Sequence, residues 1–417
     1  MLCVWSVSAS MRPVLFPLLL SVAAASCGEG GVCSLNGDCV SGACVCDAAW
    51  TGPTCAQVNL VPLTPEAARA GAYRPEAAPP YAGLATSWGG VPLRDTEPPY
   101  AYHLYVAELA NNCTLQSWVP NSRVTHAVAD APQGPYAYRA TVFDTFHHNP
   151  SVVRHPNPQA DPSAAYLMYL IGGPLAATAD CSNGILNSSQ HLESSILIST
   201  AASPGGPWSE PIGPVLARGA EDAWDYIVTN PSPIILPNGT VLLYYRGTPK
   251  YFADDADAAA GHGSRYNHRG DRDGGTGGEQ AQAPRDLIES VGLASAPHWS
   301  GPYTKVFERP VLATMNEDPF AWRDDRGFKM LTHGRDDWWN THLAYSADGL
   351  SWSDGADVAT GPNVTLTDGS LAVFTNRERP HIYFNESTGQ PALLFNGVCP
   401  GKKYGYAYTI AQFFEQD

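Results

Sequence analysis

The chain sets two carboxylates side by side, Glu317 and Asp318 in "NEDPFAW", directly before a proline and an apolar, strand-like run. A third, Glu378 in "RERPHIYF", stands just before Arg379 and Pro380. Close carboxyl groups push their pKa values apart, so one works as an acid while another works as a base. Asp318 reads as the ionised base and Glu317 or Glu378 as the acid. The competing reading is that Asp318 caps a turn and Glu317 is merely solvated. The same frame recurs with amides where the acids stood: His148-Asn149 before Pro150 and Thr229-Asn230 before Pro231. Asp222 and Asp225 in "EDAWDYIVTNP" lie just upstream of the latter and are weaker candidates for a further acid.

Other groups qualify by position. Arg246 in "YYRG", His333 in "LTHGR" and Arg379 close or open apolar runs and offer donors to the polar groups of a neutral ligand, as do His148, Asn149 and Asn230. Arg379 has an alternative role as the ion-pair partner of Glu378 or Asp318. Trp88 in "TSWGG" presents a stacking face or, equally, fills a core. His147 and His148 are adjacent, so on a strand they point to opposite faces and do not share one ion. No G-x-S-x-G nucleophile elbow is present.

The elements that position these residues are strands. Each X-Pro frame leads to a second apolar run ending in a polar residue or glycine: "AYLMYLIGG", "TVLLYYRG", "GFKMLTHG" and "PALLFNG". Third strands with Gly turns follow three of them, in "ILISTAASPGGPW", "VGLASAPHWSGPY" and "THLAYSADGLSW", and "KYGYAYTIAQFF" completes the last unit. A unit without the proline lies upstream, in "GLATSWGG", "YHLYVAEL" and "RVTHAVADAPQGPY". Proline at a strand's first position needs no ladder donor, and Gly-Pro or Asp-Gly supplies the turn. Units of this size bury their faces only by packing on one another, so an all-β fold, a five-bladed β-propeller over residues 83–417, is expected, with a β-sandwich pair as the alternative. A polar, Gly-rich insertion at 252–285 interrupts the spacing and reads as a flexible loop; its Arg269-Gly270-Asp271 is a chance tripeptide in such a composition.

Residues 83–417 resemble the five-bladed glycoside hydrolases of the arabinanase, xylosidase and invertase type, families 43 and 32. The resemblance rests on the unit pattern, on Asp318-Pro319 opening an inner strand, and on the hairpin "SADGLSW" with Ser346, Asp348, Gly349 and Trp352. It implies a funnel in which an Asp base or nucleophile, a supporting Asp and a Glu acid come from three blades, and a single ion in the channel, for which His333 is the candidate. No other cofactor or metal is expected. Where the resemblance calls for acids in the second and third blades, this chain has Asn149 and Asn230.

The N-terminal region frames this domain. "MRPVLFPLLLSVAAASC" reads as an export signal ending at residue 25, with Met11 as a possible start and Ala23 and Ala25 before the cleavage point. Six of the ten cysteines fall between Cys27 and Cys55, the density of a disulfide-stapled module. Spacing alone leaves every pairing open. Residues 26–56 resemble an EGF-like domain through Cys44, Cys46, Trp50, Gly52 and Cys55, and that resemblance implies the pairs Cys27–Cys39, Cys33–Cys44 and Cys46–Cys55 and a possible protein partner, without calcium. Residues 57–82 are Ala- and Pro-rich and read as a linker. Of Cys113, Cys181 and Cys399, one pair is expected. Sequons at Asn112, Asn187, Asn238, Asn363 and Asn385 fit a secreted, extracellular glycoprotein. A net charge of −16 argues against nucleic acid and anionic lipid as partners, and no apolar run after the signal spans a membrane. Two functions follow: hydrolysis of glycosidic bonds in an extracellular polysaccharide, or non-catalytic binding of a glycan or matrix protein.

Overall fold

The computed structural model describes residues 27, 32–75, 85–97, 99–178, 181, 194–250, 289–312, 314–334 and 340–416. The export signal, Asn187 and the 252–285 insertion lie outside these residues. Five antiparallel sheets form the blades of the large domain, with a two-stranded hairpin, Val364–Thr365 and Leu371–Ala372, beside them. Their inner strands are Ser87–Arg94, His147–Arg154, Ile227–Ile235, Asn316–Arg323 and Asn376–Phe384, which open blades I to V in that order. Each blade then runs outward without crossovers, as in blade IV through Phe328–Gly334, Thr341–Ser346 and Asp357–Thr360. Each inner strand touches the next, and that of blade V returns to that of blade I, which closes the ring. This is the five-bladed propeller that the repeats predict, and it excludes the sandwich.

Apolar clusters fill the gaps between neighbouring blades. Val91, Tyr105 and Val124 of blade I meet Val152, Met168 and Leu170 of blade II. Tyr169, Ile196 and Ile198 meet Val228, Leu243 and Tyr245 across the next gap. Tyr244 and Leu293 meet Ala321, Phe328 and Met330 between blades III and IV, and Leu104 and Val106 meet Leu393 and Phe395 between blades I and V. No blade buries its own faces, so the ring is one cooperative core.

The inner strands share a backbone irregularity. Gly89, Asn149, Asn230, Asp318 and Arg379 all hold φ between 47° and 68°. Each precedes Gly90 or a proline, and in every blade the pairing with the second strand slips at this point. Glycine, Asn and Asp enter this left-handed region at low cost; Arg379 does so at a cost of about 1–2 kcal/mol. Gly89-Gly90 is thus the blade I equivalent of the four X-Pro frames.

The N-terminal module is not a distant bead. Its disulfides join Cys27 to Cys39, Cys33 to Cys44 and Cys46 to Cys55, the pairs implied by the resemblance. Trp50 stacks on Trp322 of blade IV at 6.2 Å between ring centroids and packs on Phe414 at 6.3 Å. Arg326, in a blade IV hairpin, donates to Gly37 O at 2.9 Å, Asp38 Oδ1 at 2.8 Å and Asp47 Oδ1 at 3.1 Å.

The expectation of a linker at 57–82 is corrected for its described part. Val61 N donates to Phe413 O at 2.9 Å, Glu415 N to Asn59 O at 2.8 Å, and Ala72 N to Thr409 O at 2.7 Å, so the segment lines the outer edge of blade V. The short helix Pro65–Ala70, capped by Thr64, interrupts it. Prolines are tolerated there because an edge position leaves one side of the backbone unpaired. Elsewhere Cys113 pairs with Cys181, and Cys399 is free and buried.

Trp50→Ala is expected to cost about 3–5 kcal/mol, since it empties an aromatic contact shared by module and propeller. Arg326→Ala should cost under about 1 kcal/mol, because Asp38 stands largely in water and Asp47 and Arg326 are each about one-third open to it, so solvent screens both pairs. Guanidinium unfolding midpoints check both values, and equal losses in the two variants would contradict this account of the interface.

Candidate active site

At the mouth of each inner strand the left-handed residue changes what consecutive side chains can reach. Ordinarily Glu317 and Asp318 would face opposite sides of the sheet. The slip at φ 55° lets Asp318 turn toward neighbouring inner strands while Glu317 stays beside the second strands. Asp318 accepts from Asn230 Nδ2 of blade III at 2.6 Å, and from Arg379 N and Nη1 of blade V at 3.1 and 3.2 Å. One carboxylate therefore joins three blades.

A second layer lies one residue upstream. Register pairs Thr229 with Arg246, Glu317 with His333 and Glu378 with Gly397. Arg246 donates from Nε to Thr229 Oγ1 at 3.0 Å and from Nη1 to Glu317 Oε2 at 2.9 Å, and also reaches Glu289 at 3.4 Å. His333 places Nδ1 at 3.1 Å from Glu317 Oε1 and Nε2 at 3.7 Å from Glu378 Oε1. Asn376 donates to Glu378 as well. In blades I and II the same positions hold Trp88 opposite Ala107 and His148 opposite Ile171, so the charged arc belongs to blades III to V.

The network is largely buried. Side-chain exposure is 15% for Glu317 but only 5% for Asp318, 6% for Glu378 and 2% for His333. Burial, reinforced by Glu317 and Asp318 against the pull of His333, pushes the Glu378 carboxyl up to about 7. Burial works against a charge on His333, yet Glu378, Glu317 and Asp318 outweigh it and raise the imidazole to about 10. Burial likewise opposes the Arg246 charge, and Glu289, Glu317 and Asp318 more than offset it. His148 is held well below the ordinary histidine range by burial and by Arg379 and Arg246, and it remains neutral. Its Nδ1 lies 2.6 Å from Ser122 Oγ, and Trp118 stacks on it at 4.6 Å.

The structure thus brings together Glu317, Asp318, Glu378, Asn230, Arg246, His333 and Arg379, with His148 alongside. Asn149 shares the ring, its Oδ1 buried without a partner among the described residues. Trp88 is 4% exposed within an apolar cluster, which is the core role and not an open stacking face. Asp225 is engaged elsewhere, accepting from Tyr245 Oη and pairing with Lys305 at 2.7 Å, and Asp222 is exposed. Glu289 and Asn376 are site residues that sequence reasoning missed. Both sit at strand ends without a proline or a second acid to flag them.

Ligand atoms of Glu317, His333 and Glu378 lie within 4.8 Å of one another, near enough for one cation. At neutral pH the raised His333 holds the proton that such a cation would displace, so metal and proton compete for this position.

No family model matches the chain, and no curated protein matches it. Among solved structures it is similar to a family 117 glycoside hydrolase from the marine bacterium Zobellia galactanivorans, at 16% identity over 82% of this chain and 88% of that one, with a TM-score of 0.49. It is also similar to a family 43 β-xylosidase/α-arabinofuranosidase from a compost microbial metagenome, at 10% identity over 80% and 94% of the two chains, TM-score 0.44. An endo-arabinase from Bacteroides thetaiotaomicron gives 10% identity over 80% and 96%, TM-score 0.44. The propeller assignment rests on the sheet topology.

His333 holds its proton more tightly folded than unfolded, between its ordinary 6.5 and about 10. Its stabilisation is complete below pH 6.5 and is lost as pH rises through about 10. Urea midpoints should therefore fall from pH 7 to 10, and His333→Gln should flatten that fall. An unchanged slope in the variant would show that the imidazole is not the titrating group.

Proposed function

We propose that the protein is a secreted glycoside hydrolase that cleaves glycosidic bonds of an extracellular polysaccharide at the mouth of the propeller. The observation that carries this reading is the division of labour among neighbouring carboxyls of blades IV and V. Glu378, near 7, retains a proton that a leaving oxygen requires, while Asp318 accepts hydrogen bonds on both oxygens and serves as base or nucleophile. Glu317, the most exposed of the three, joins His333 and Arg246 and sets the charge around the acid. Asn149, Asn230, Arg246, Arg379 and His148 offer the donors and acceptors that sugar hydroxyls need. The three tight disulfides and the sequons support export, and no helix among the described residues is long and apolar enough to cross a membrane. Carbohydrate is the partner, and the N-terminal module, read as EGF-like, is a second contact surface for protein.

A second reading has its own observation: every mouth carboxylate is already bonded to an arginine, histidine or asparagine, as in a binding propeller without turnover. Secreted protein assayed on nitrophenyl arabinosides, xylosides, fructosides and galactosides and on plant and algal polysaccharides separates the two. The hydrolase reading expects Asp318→Asn and Glu378→Gln each to lower kcat at least 100-fold, within the range of general acid–base catalysis. It also expects a basic limb near pH 7 that Glu378→Gln abolishes. Glycan binding that survives both substitutions, with no turnover of any substrate, favours the binder.

A further inference from the structure

At the end of the propeller opposite the ring mouth, the inner hairpins of blades III and IV stand side by side. The blade III hairpin turns at Leu236–Thr240, where Gly239 N donates to Leu236 O at 2.8 Å and Leu236 N to Thr240 O at 2.8 Å. The blade IV hairpin links Arg323 to Phe328. Between them runs a groove of about 340 Å³ lined by Leu236, Pro237, Asn238, Arg323 and Phe328. It is mainly apolar, and the Arg323 guanidinium stands 5.6 Å from the centre of the Phe328 ring.

Asn238 belongs both to the lining of the groove and to the sequon Asn238-Gly239-Thr240. It is exposed, and its Oδ1 accepts from Thr240 N at 3.1 Å, so the turn engages the oxygen and leaves Nδ2 unpartnered among the described residues. The other described sequons differ. Asn385, at the matching blade V hairpin, and Asn363 are exposed but do not line this groove, and Asn112 is half-buried beside the Cys113–Cys181 disulfide.

We propose that Asn238 carries an N-linked glycan whose first N-acetylglucosamine lies in this groove, its C–H face against Leu236 and Pro237, above the buried Phe328 ring, and its polar edge toward Arg323. The inference rests on the export reading above and is independent of the hydrolase reading. The donor is a lipid-linked oligosaccharide diphosphate. A bond forms between Asn238 Nδ2 and C1 of the sugar, the C1–O bond to diphosphate breaks, the lipid diphosphate leaves with the bonding pair, and the amide gives up one proton. An apolar groove with one cation at its rim suits a sugar, which has an apolar face and a polar edge. The glycan then works as a wedge between two blades as well as a surface group.

The test uses the full chain collected from the medium of eukaryotic cells. Peptide mapping after enzymatic deglycosylation in heavy-oxygen water should mark Asn238. Thr240→Ala, which removes the glycan, should lower Tm by about 2 °C relative to Thr240→Ser, which keeps it. Trimming with an endoglycosidase that leaves one N-acetylglucosamine should hold Tm at the intact value. Arg323→Ala should narrow the gap between the Thr240 variants. An unmodified Asn238 in protein glycosylated elsewhere overturns the proposal alone, as does an equal Tm for the two Thr240 variants. Protein bare at every sequon, or absent from the medium, overturns the export reading with it.

Discussion

Everything at the propeller mouth depends on one backbone conformation used five times. A strand that reached the axis in regular β geometry would alternate its side chains across the sheet, and adjacent acids could not serve the same space. The left-handed residue before Gly90 or proline breaks the alternation where the strands converge. It also slips the pairing, so the following proline sits where no ladder donor is required. The cost is small for Gly89, Asn149, Asn230 and Asp318. At Arg379 it is larger, and there the same conformation aligns the backbone N–H and the guanidinium on Asp318. Strain at one residue thus secures a carboxylate that three blades share.

Polarity around the mouth is uneven as a result. Blades I and II present Trp88, Ala107, His148 and Ile171 to the second layer, whereas blades III to V present Arg246, Glu317, His333 and Glu378. These side chains are shielded from bulk solvent, so the charges act on one another at close range and the pKa values of Glu378 and His333 are set by their neighbours. Burying such a network stabilises little by itself, and removing a single partner strands the rest. Three loops above the quieter side are tied together. Leu115 N and Gln116 N donate to Gly405 O and Tyr404 O, and the Cys113–Cys181 bridge spans blades I and II. Among the described residues, the apolar side of the mouth therefore has a tied rim.

Much of this was legible in the sequence because it is punctuated locally. X-Pro frames, apolar runs and Gly turns announce strands and their order, and the frames mark four of the five residues that form the ring; Gly89, with no proline after it, shows its place only through its backbone angles. Misreadings came where composition stood in for geometry. The Ala- and Pro-rich stretch after Cys55 looked like a tether, yet its backbone finds partners along blade V that only the closed ring creates. Trp88 offered a core role and a stacking role on equal terms, and only burial decides between them. Glu289 and Asn376 gave no signal, since each earns its place by proximity to a residue of another strand.

The pairing of the stretch after Cys55 with blade V also dictates an order of events. Gln412 donates to Val61 O, and Leu60 bridges to Phe414, contacts that span 351 residues in the first case. The small module and the stretch after it are translated first, but the edge they must hold is among the last parts of this sequence to be translated. Until then the early segment stays unmatched, and blade I has no neighbour on one side. Long-range closure of this kind is slow and leaves strand edges exposed meanwhile. Maturation of the chain is therefore set less by how fast each blade forms than by how long its first residues can wait for their partners.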